Sequence, residues 1–178
     1  MIYSFLQNGD SAVTVQFQNE ISKEVNSQVT ALCGRLEAKR IDGVIELVPT
    51  FASLTVFYDC SVISSKKLKK KIEALIRDGE SHVKGTARVW NIPVCYDDEF
   101  ALDMETVCGH TKLIREEVIA LHTSKPYLIY MLGFLPGFAY LGGMDERLFT
   151  PRLKTPRLEI FEGAVGIGGE QTGIYPIA

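Results

Sequence analysis

Residues 133–143 of the chain are Gly133-Phe134-Leu135-Pro136-Gly137-Phe138-Ala139-Tyr140-Leu141-Gly142-Gly143, and the fold prediction depends on this stretch. Its Pro-Gly pair is a strong turn signal. From here to Pro176 the apolar residues show no helical period, and glycines and prolines recur every few residues between single hydrophobic residues. That pattern predicts short strands and tight turns, as in a β-barrel.

The aromatic residues of this stretch allow two interpretations. Phe134, Phe138 and Tyr140 can form a buried cluster, or they can line a groove, because irregular segments run along protein surfaces. We expect residues 133–176 to hold a ligand or partner. On this interpretation the binding residues include Phe134, Pro136, Phe138 and Tyr140.

Polar side chains follow the aromatic stretch. Arg152 and Arg157 each come directly after a proline, and a fixed backbone would preorganise the two guanidinium groups to bind carboxylate or phosphate. The alternative is a pair of surface salt bridges. Gln171, Thr172 and Tyr175 add neutral hydrogen-bonding groups to the same candidate site.

His122 ends a predicted helix just before the strand that leads into residues 133–143. It can be a cation that caps the helix dipole, or a hydrogen-bonding group or general base at the edge of a site. No spacing of cysteine, histidine or carboxylate predicts a metal site. The glycine run of residues 163–169 lacks the Lys-Ser/Thr of a phosphate loop and the following helix of a dinucleotide site, so it predicts close backbone approach in β-structure.

The first half of the chain alternates strands and helices. Asn8-Gly9-Asp10 is a turn signal between two short strands, and further strands are expected near residues 43–48 and 54–58. Ser22 is the expected cap of an amphipathic helix from Lys23 to about Lys39, and Ser64 or Ser65 caps a second helix. This order predicts an α+β sandwich with both helices on one face of the sheet.

The second half begins after a polar linker at residues 80–86, and the predicted domains are 1–84 and 85–178. We expect a strand over residues 87–96, a short helix ending near Gly109, a helix from a Thr111 cap to about Leu121, and a strand within residues 126–132. Together the two halves predict an α+β protein.

Composition restricts the class of protein. The 178 residues are 46% hydrophobic and 23% charged, with a net charge of −3 and a pI near 5.7. These values predict a globular protein that binds neither nucleic acid nor a membrane. Four dispersed cysteines without a CxxC pair predict reduced, mostly buried thiols in a cytoplasmic protein.

The sequence resembles the allophanate-hydrolase subunit 1 family. The likeness rests on GFLPGFAYLGG at residues 133–143, the TPR and PR segments around Arg152 and Arg157, GAVGIGGEQTGIYP at residues 163–176, and GDSAV at residues 9–13. That family includes the B-type subunit of bacterial ATP-dependent 5-oxoprolinase and the sporulation kinase inhibitor KipI. The resemblance implies a small α/β N-terminal domain followed by a cyclophilin-like β-barrel. Family members continue beyond the equivalent of Ala178, so we expect that this chain is a fragment or that its barrel is incomplete.

The resemblance also implies a function shared with partners. It predicts a cytoplasmic hydrolase subunit that helps to open 5-oxo-L-proline to L-glutamate with ATP hydrolysis. The partners would be a homologous larger, KipA-like subunit and a third oxoprolinase subunit. ATP would be the co-substrate, bound on this chain or on one of the partners. The alternatives are a KipI-like inhibitor of histidine kinase autophosphorylation and a subunit of the allophanate hydrolase or urea carboxylase type.

Chemistry and position make His122, Arg152, Arg157 and Tyr175 the candidate catalytic residues. The arginines would bind substrate carboxylate or phosphate, and His122 or Tyr175 would transfer a proton.

Overall fold

The computed structural model describes residues 2–78 and 88–177. The chain divides into two compact units, Met1–Thr86 and Ala87–Ala178. The predicted linker at residues 80–86 and the predicted boundary at 84/85 lie outside the described residues, so the boundary stays a prediction. Mixed helix and strand content with two antiparallel sheets confirms the predicted α+β class.

The first unit has one four-stranded antiparallel sheet in the order β1-β2-β4-β3. The predicted turn at Asn8–Asp10 joins the first two strands, and Gly9 has a φ of 62° there. The elements are β1 (Tyr3–Asn8), β2 (Ala12–Phe17), α1 (Lys23–Lys39), β3 (Val44–Pro49), β4 (Ser53–Tyr58) and α2 (Ser65–Arg77).

The two helices of this unit cover one face of the sheet, as predicted. Val13 of β2 lies directly opposite Val56 of β4, and Val15 lies opposite Leu54, so all four side chains point to the same face. They are fully buried in one cluster with the apolar stripes of both helices. Ser22 and Ser64 cap the helices by accepting hydrogen bonds from backbone N–H groups, which confirms the predicted helix starts.

The second unit has a second four-stranded antiparallel sheet, in the order β5-β6-β8-β7. A small core packs the helices of this unit against the short 3₁₀ helix Glu146–Leu148. The other elements are α3 (Met104–Thr111), α4 (Arg115–His122), β5 (Leu128–Leu132), β6 (Ala139–Gly142), β7 (Val165–Gly168) and β8 (Gln171–Ile174). The described strands form one sheet, and the cyclophilin-like closure stays a prediction.

Two local predictions for this unit are wrong. Residues 88–96 form no strand, because an alternating pattern needs a neighbouring strand and none of the described strands pairs with them. Trp90 is therefore 67% exposed. Thr111 does not cap the following helix, since its hydroxyl donates back to the Val107 carbonyl within α3. The positive φ of Lys112, 62°, then ends that helix.

The cysteine prediction is confirmed in one respect and wrong in another. All four thiols are free, as expected. Cys33 is buried, and burial raises its pKa to about 11, but Cys60 and Cys95 are exposed. None of the helices within residues 2–78 and 88–177 has the length and hydrophobicity of a membrane span.

Candidate functional site

One face of the second sheet carries most of the predicted site residues. Adjacent residues on a strand point to opposite faces, so Gln171, Gly173 and Tyr175 share one side of β8 and its continuation. On the neighbouring strand β7, Gly166 lies directly opposite Gly173, and Gly168 lies directly opposite Gln171. Directly opposed residues point to the same side of a sheet. We call this side, defined by Gly166, Gly168 and Gly173, the glycine face.

Four aromatic rings pack on the glycine face. Phe138 is the centre: its ring centroid lies 5.0 Å from that of Tyr140, 5.0 Å from that of Tyr175 and 5.6 Å from that of Phe134. The contacts are edge-to-face, the arrangement that aromatic quadrupoles favour. Both sequence interpretations apply, because Phe138 is 7% exposed whereas Phe134 is 70% exposed.

Glycine is required where the central ring meets the sheet. A Cβ built on Gly173 would lie 2.6 Å from Cζ of Phe138, closer than real contacts allow. The ring therefore lies against backbone, as the sequence predicted for this glycine-rich region. Gly137, with a φ of 83°, closes the turn before it, and the Phe138 N–H donates to the Leu135 carbonyl at 3.0 Å.

Phe134 has an unusual backbone conformation. Its φ is 69°, in the left-handed region that bulky residues rarely adopt. The turn imposes it: the Gly133 N–H donates to the Phe138 carbonyl at 3.1 Å across the bend. A strained residue that presents an exposed ring is a feature of binding and catalytic sites. Pro136 is also exposed at this turn.

His122 lies beneath the opposite face of the sheet and is 8% exposed. Its Nε2 lies 3.2 Å from Oγ1 of Thr172, and its Nδ1 lies 2.6 Å from the hydroxyl of Tyr96. The Thr172 hydroxyl donates to the Gly166 carbonyl at 3.0 Å, so it must accept from Nε2–H. In the neutral ring Nδ1 is then the acceptor for Tyr96, so the neutral form is the Nε2–H tautomer.

Burial also favours the neutral form of this histidine. Desolvation lowers the pKa of His122 and raises the pKa of Tyr96. Tyr127 donates from its hydroxyl to the His122 carbonyl at 2.7 Å, and burial, with smaller effects from Tyr96 and Asp145, raises its pKa to about 12. His122 therefore joins α4 to β8 through a buried network. This geometry supports a positioning role for His122 rather than proton transfer at the surface.

The two predicted arginines are in different environments. Arg157 forms an ion pair with Asp103, which fits the salt-bridge alternative. Arg152 makes no hydrogen bond or ion pair with the described residues, and its side chain lies along Gly168 of the glycine face. A Cβ on Gly168 would lie 3.3 Å from its Nε. The structure therefore places Arg152 beside the face that carries the aromatic rings, whereas Arg157 is paired with Asp103.

The two polar residues at the start of β8 also differ. Thr172 is 3% exposed and points away from the glycine face, into the network of His122. Gln171 points toward the glycine face, and its Nε2 is buried without a hydrogen-bond partner among the described residues. A buried polar atom that lacks a partner costs about 1–3 kcal/mol and therefore suggests a ligand contact.

Tyr96 and Asp103 are relevant residues that the sequence analysis missed. The only sequence signal for Tyr96 was its place at the end of a predicted strand, since the contact with His122 is 26 residues away. Asp103 pairs with a residue 54 positions later, a separation that no local pattern encodes.

A charged depression lies elsewhere in the second unit and contains none of the predicted site residues. In this depression Nε of Arg147 lies 2.9 Å from Oδ1 of Asp145. Hydrogen bonds from Arg147 lower the pKa of Asp145 to about 2. The depression is lined by Lys125, Met144, Asp145, Glu146 and Arg147. The described residues contain no cluster of three or more metal-ligating side chains.

This chain is similar to a known protein family and to named relatives. The family of carboxyltransferase domains, subdomain C and D, matches residues 3–178. A protein of Bacillus subtilis, named as the B-type subunit of 5-oxoprolinase, is 42% identical over 99% of this chain, which spans 78% of that relative.

Solved structures agree on the fold. The structure of TTHA0988 superposes on this chain with a TM-score of 0.79 at 33% sequence identity. The superposition covers 93% of this chain but only 32% of TTHA0988. The urea carboxylase of Kluyveromyces lactis has a TM-score of 0.78 over 97% of this chain and 18% of its own, but at 20% identity it shows a shared fold alone.

Proposed function

The chain belongs to the family of carboxyltransferase domains of subdomain C and D, and on that premise we propose that it is a subunit of an ATP-dependent 5-oxoprolinase complex. The observation that carries the proposal is 42% identity with a B-type 5-oxoprolinase subunit along 99% of this chain. The complex would open 5-oxo-L-proline to L-glutamate with hydrolysis of ATP. In this proposal the chain acts together with a homologous larger, KipA-like subunit and with a third oxoprolinase subunit.

The chemistry explains why ATP is needed. A lactam is a stable amide, and transfer of the γ-phosphoryl group to the lactam oxygen would convert that oxygen into a leaving group. Water would then add to the ring carbon, and the C–N bond would break as the ring nitrogen accepts a proton, which leaves an acyl phosphate. A second water would hydrolyse this acyl phosphate to the carboxylate of glutamate and free phosphate. The protein must position the substrate and stabilise the developing negative charge.

The residues of this chain divide these tasks by position. Arg152 offers a cation without a partner among the described residues, suited to substrate carboxylate or phosphate, and the half-buried Tyr175 offers a hydroxyl for proton transfer beside the aromatic rings. Arg157 would contribute only if its pair with Asp103 opens. His122 would hold β8 in place from the opposite face.

ATP has no matching phosphate loop in the described part of this chain. Gly166 and Gly168 belong to strand β7 and lead into a hairpin, not into the N-terminus of a helix. We therefore place the ATP site on a partner or at a shared surface in this proposal.

The test is 5-oxoproline-dependent ATP hydrolysis by a complex reconstituted with both partners. The wild-type chain should support turnover, and omission of the chain should abolish it. At a 5-oxoproline concentration below KM, Arg152→Ala should reduce turnover strongly, whereas Arg157→Ala should reduce it less because Asp103 already pairs with that arginine. A complex that hydrolyses ATP equally well without this chain would disprove the proposal.

The second candidate function is a binding module that inhibits a sensor histidine kinase. The exposed ring of Phe134 and its neighbours Phe138 and Tyr140 favour this alternative, because aromatic surfaces suit extended proline-containing segments. The discriminating measurement is kinase autophosphorylation with the chain at saturating concentration. Unchanged autophosphorylation would eliminate this candidate.

A further inference from the structure

The glycine face has a polar end as well as an aromatic end. The N–H of Gly169, at the tip of the β7–β8 hairpin, donates to the Thr150 carbonyl at 2.8 Å. This bridge brings the chain after Thr150 to the hairpin, and the Arg152 side chain then lies along Gly168. Gly168 lies directly opposite Gln171, so the guanidinium group of Arg152 and the amide of Gln171 are on the same side.

Both of these donors lack a partner in the part of the chain that the structure describes. Arg152 forms no ion pair or hydrogen bond there, whereas Arg115, Arg147 and Arg157 of the same unit each pair with an aspartate. Nε2 of Gln171 is buried and unsatisfied. The glutamine side chain as a whole is only half-buried.

Aromatic rings cover the floor between the two ends, because a Cβ built on Gly173 would lie 2.6 Å from Cζ of Phe138. Gly166 and Gly173 lie directly opposite each other and carry no side chain, and Tyr140 lies directly opposite Gly173 on the other side of β8. A Cβ built on Gly166 would lie 3.7 Å from the Tyr175 ring. A small flat ring can therefore lie against these aromatic rings, with the nitrogen donors of Arg152 and Gln171 on its other side.

We propose that Arg152 and Gln171 form a carboxylate-binding subsite on the glycine face, which takes a small cyclic carboxylate with its ring toward Tyr140 and Tyr175. A planar guanidinium group binds a carboxylate through two parallel hydrogen bonds, and the glutamine amide donates a third. This inference rests on the proposed function for its ligand, since 5-oxoproline combines a five-membered ring with one carboxylate. It assigns Arg152 to the carboxylate rather than to phosphate.

The experiment compares two ligands on the assembled complex without ATP. Calorimetric titrations use 5-oxoproline and its neutral analogue 5-oxoprolinamide, which keeps the lactam and lacks the charge. The wild-type complex should prefer the carboxylate by about 10- to 100-fold, as expected for charge-assisted hydrogen bonds of about 1.5–3 kcal/mol. Arg152→Ala should remove this preference, and Gln171→Leu should reduce it.

Lys154→Ala is the matched control, because it removes an exposed cation from the same segment without touching the subsite. It should retain the wild-type preference. Arg152→Lys should restore part of it, since charge returns without the planar fork. In turnover, Arg152→Ala should raise the KM for 5-oxoproline more than it lowers kcat.

The outcomes separate this inference from the proposed function. A wild-type complex without carboxylate preference, or an Arg152→Ala complex that keeps it, would overturn the subsite. If the wild-type complex shows the Arg152-dependent preference but no turnover, the subsite stands and the proposed function fails. If Lys154→Ala lowers the preference as much as Arg152→Ala, the effect is general electrostatics and the subsite is wrong.

Discussion

Substitution of Tyr96 by phenylalanine tests the buried network beneath the glycine face. The change removes one hydroxyl and leaves the ring, so packing against His122 is kept. Nδ1 of His122 loses its donor at 2.6 Å while the histidine stays only 8% exposed. An acceptor left buried without a partner costs about 1–3 kcal/mol. For a domain of this size each kcal/mol lowers the Tm by about 4–8 °C.

The assay is thermal unfolding of the full chain, followed by NMR signals of β8 so that the second unit is observed separately from the first. Thr172→Val should destabilise the same unit, because it leaves Nε2–H without an acceptor. The double variant with Tyr96→Phe should lose less than the sum of the single losses, since both act through one ring. Tyr127→Phe is the comparison variant, because it removes the hydrogen bond to the backbone carbonyl of His122 and leaves both ring nitrogens of His122 paired.

The pH dependence follows from the same network. The folded-state pKa of His122 lies below its ordinary value of 6.5, so the unfolded chain binds more protons just below pH 6.5. The free energy of unfolding should therefore fall as the pH drops from 6.5 and level off below the folded-state pKa, with a slope of at most about 1.4 kcal/mol per pH unit. His122→Gln, which cannot titrate, should lack this slope.

Two results would refute the reasoning. The first is an NMR spectrum in which Nδ1 rather than Nε2 carries the proton at pH 8. The second is a Tyr96→Phe variant with wild-type stability together with an unchanged pH slope in His122→Gln.

Three further predictions concern the glycine face and its surroundings. Gly173→Ala should lower the stability of the second unit by about 1–3 kcal/mol, measured by the same NMR melt, because its Cβ would overlap the Phe138 ring; an unchanged melt would contradict the packing. Phe134→Asn should keep the Tm within a few degrees, since asparagine tolerates positive φ, yet reduce turnover of the reconstituted complex at least about tenfold; full turnover would remove the exposed ring from the site. Arg157→Ala should change the free energy of unfolding by less than about 1 kcal/mol, because its pair with Asp103 is partly exposed; a larger loss in denaturant titration would show that the pair is structural.

Local patterns were sufficient for the first unit. The helix start at Ser22 and the turn at Asn8–Asp10 depend on neighbours within a few residues, and both predictions are confirmed. The strand predicted over residues 87–96 was wrong for the described residues 88–96, because strand formation requires a partner that the local pattern cannot supply.

The candidate site was predictable as a list of residues and not as an arrangement. Phe134, Phe138, Tyr140 and Tyr175 were chosen from composition, and the structure does bring their rings together. The sequence allows two roles for His122, a helix cap or a site residue, because its partner Thr172 is 50 positions away. Such a separation is set only when the sheet assembles.

The amino-acid sequence alone specifies where the chain can bend and where it cannot be helical, because proline and glycine restrict or free each backbone angle regardless of distant contacts. It thereby located residues 133–176 as the candidate functional region. Only the tertiary structure decided which side chains share a face. Strand register placed Gln171 on the glycine face and turned Thr172 toward His122, since a shift of one residue would exchange the two sides of the sheet. The bridge between Thr150 and Gly169 brought Arg152 beside that face.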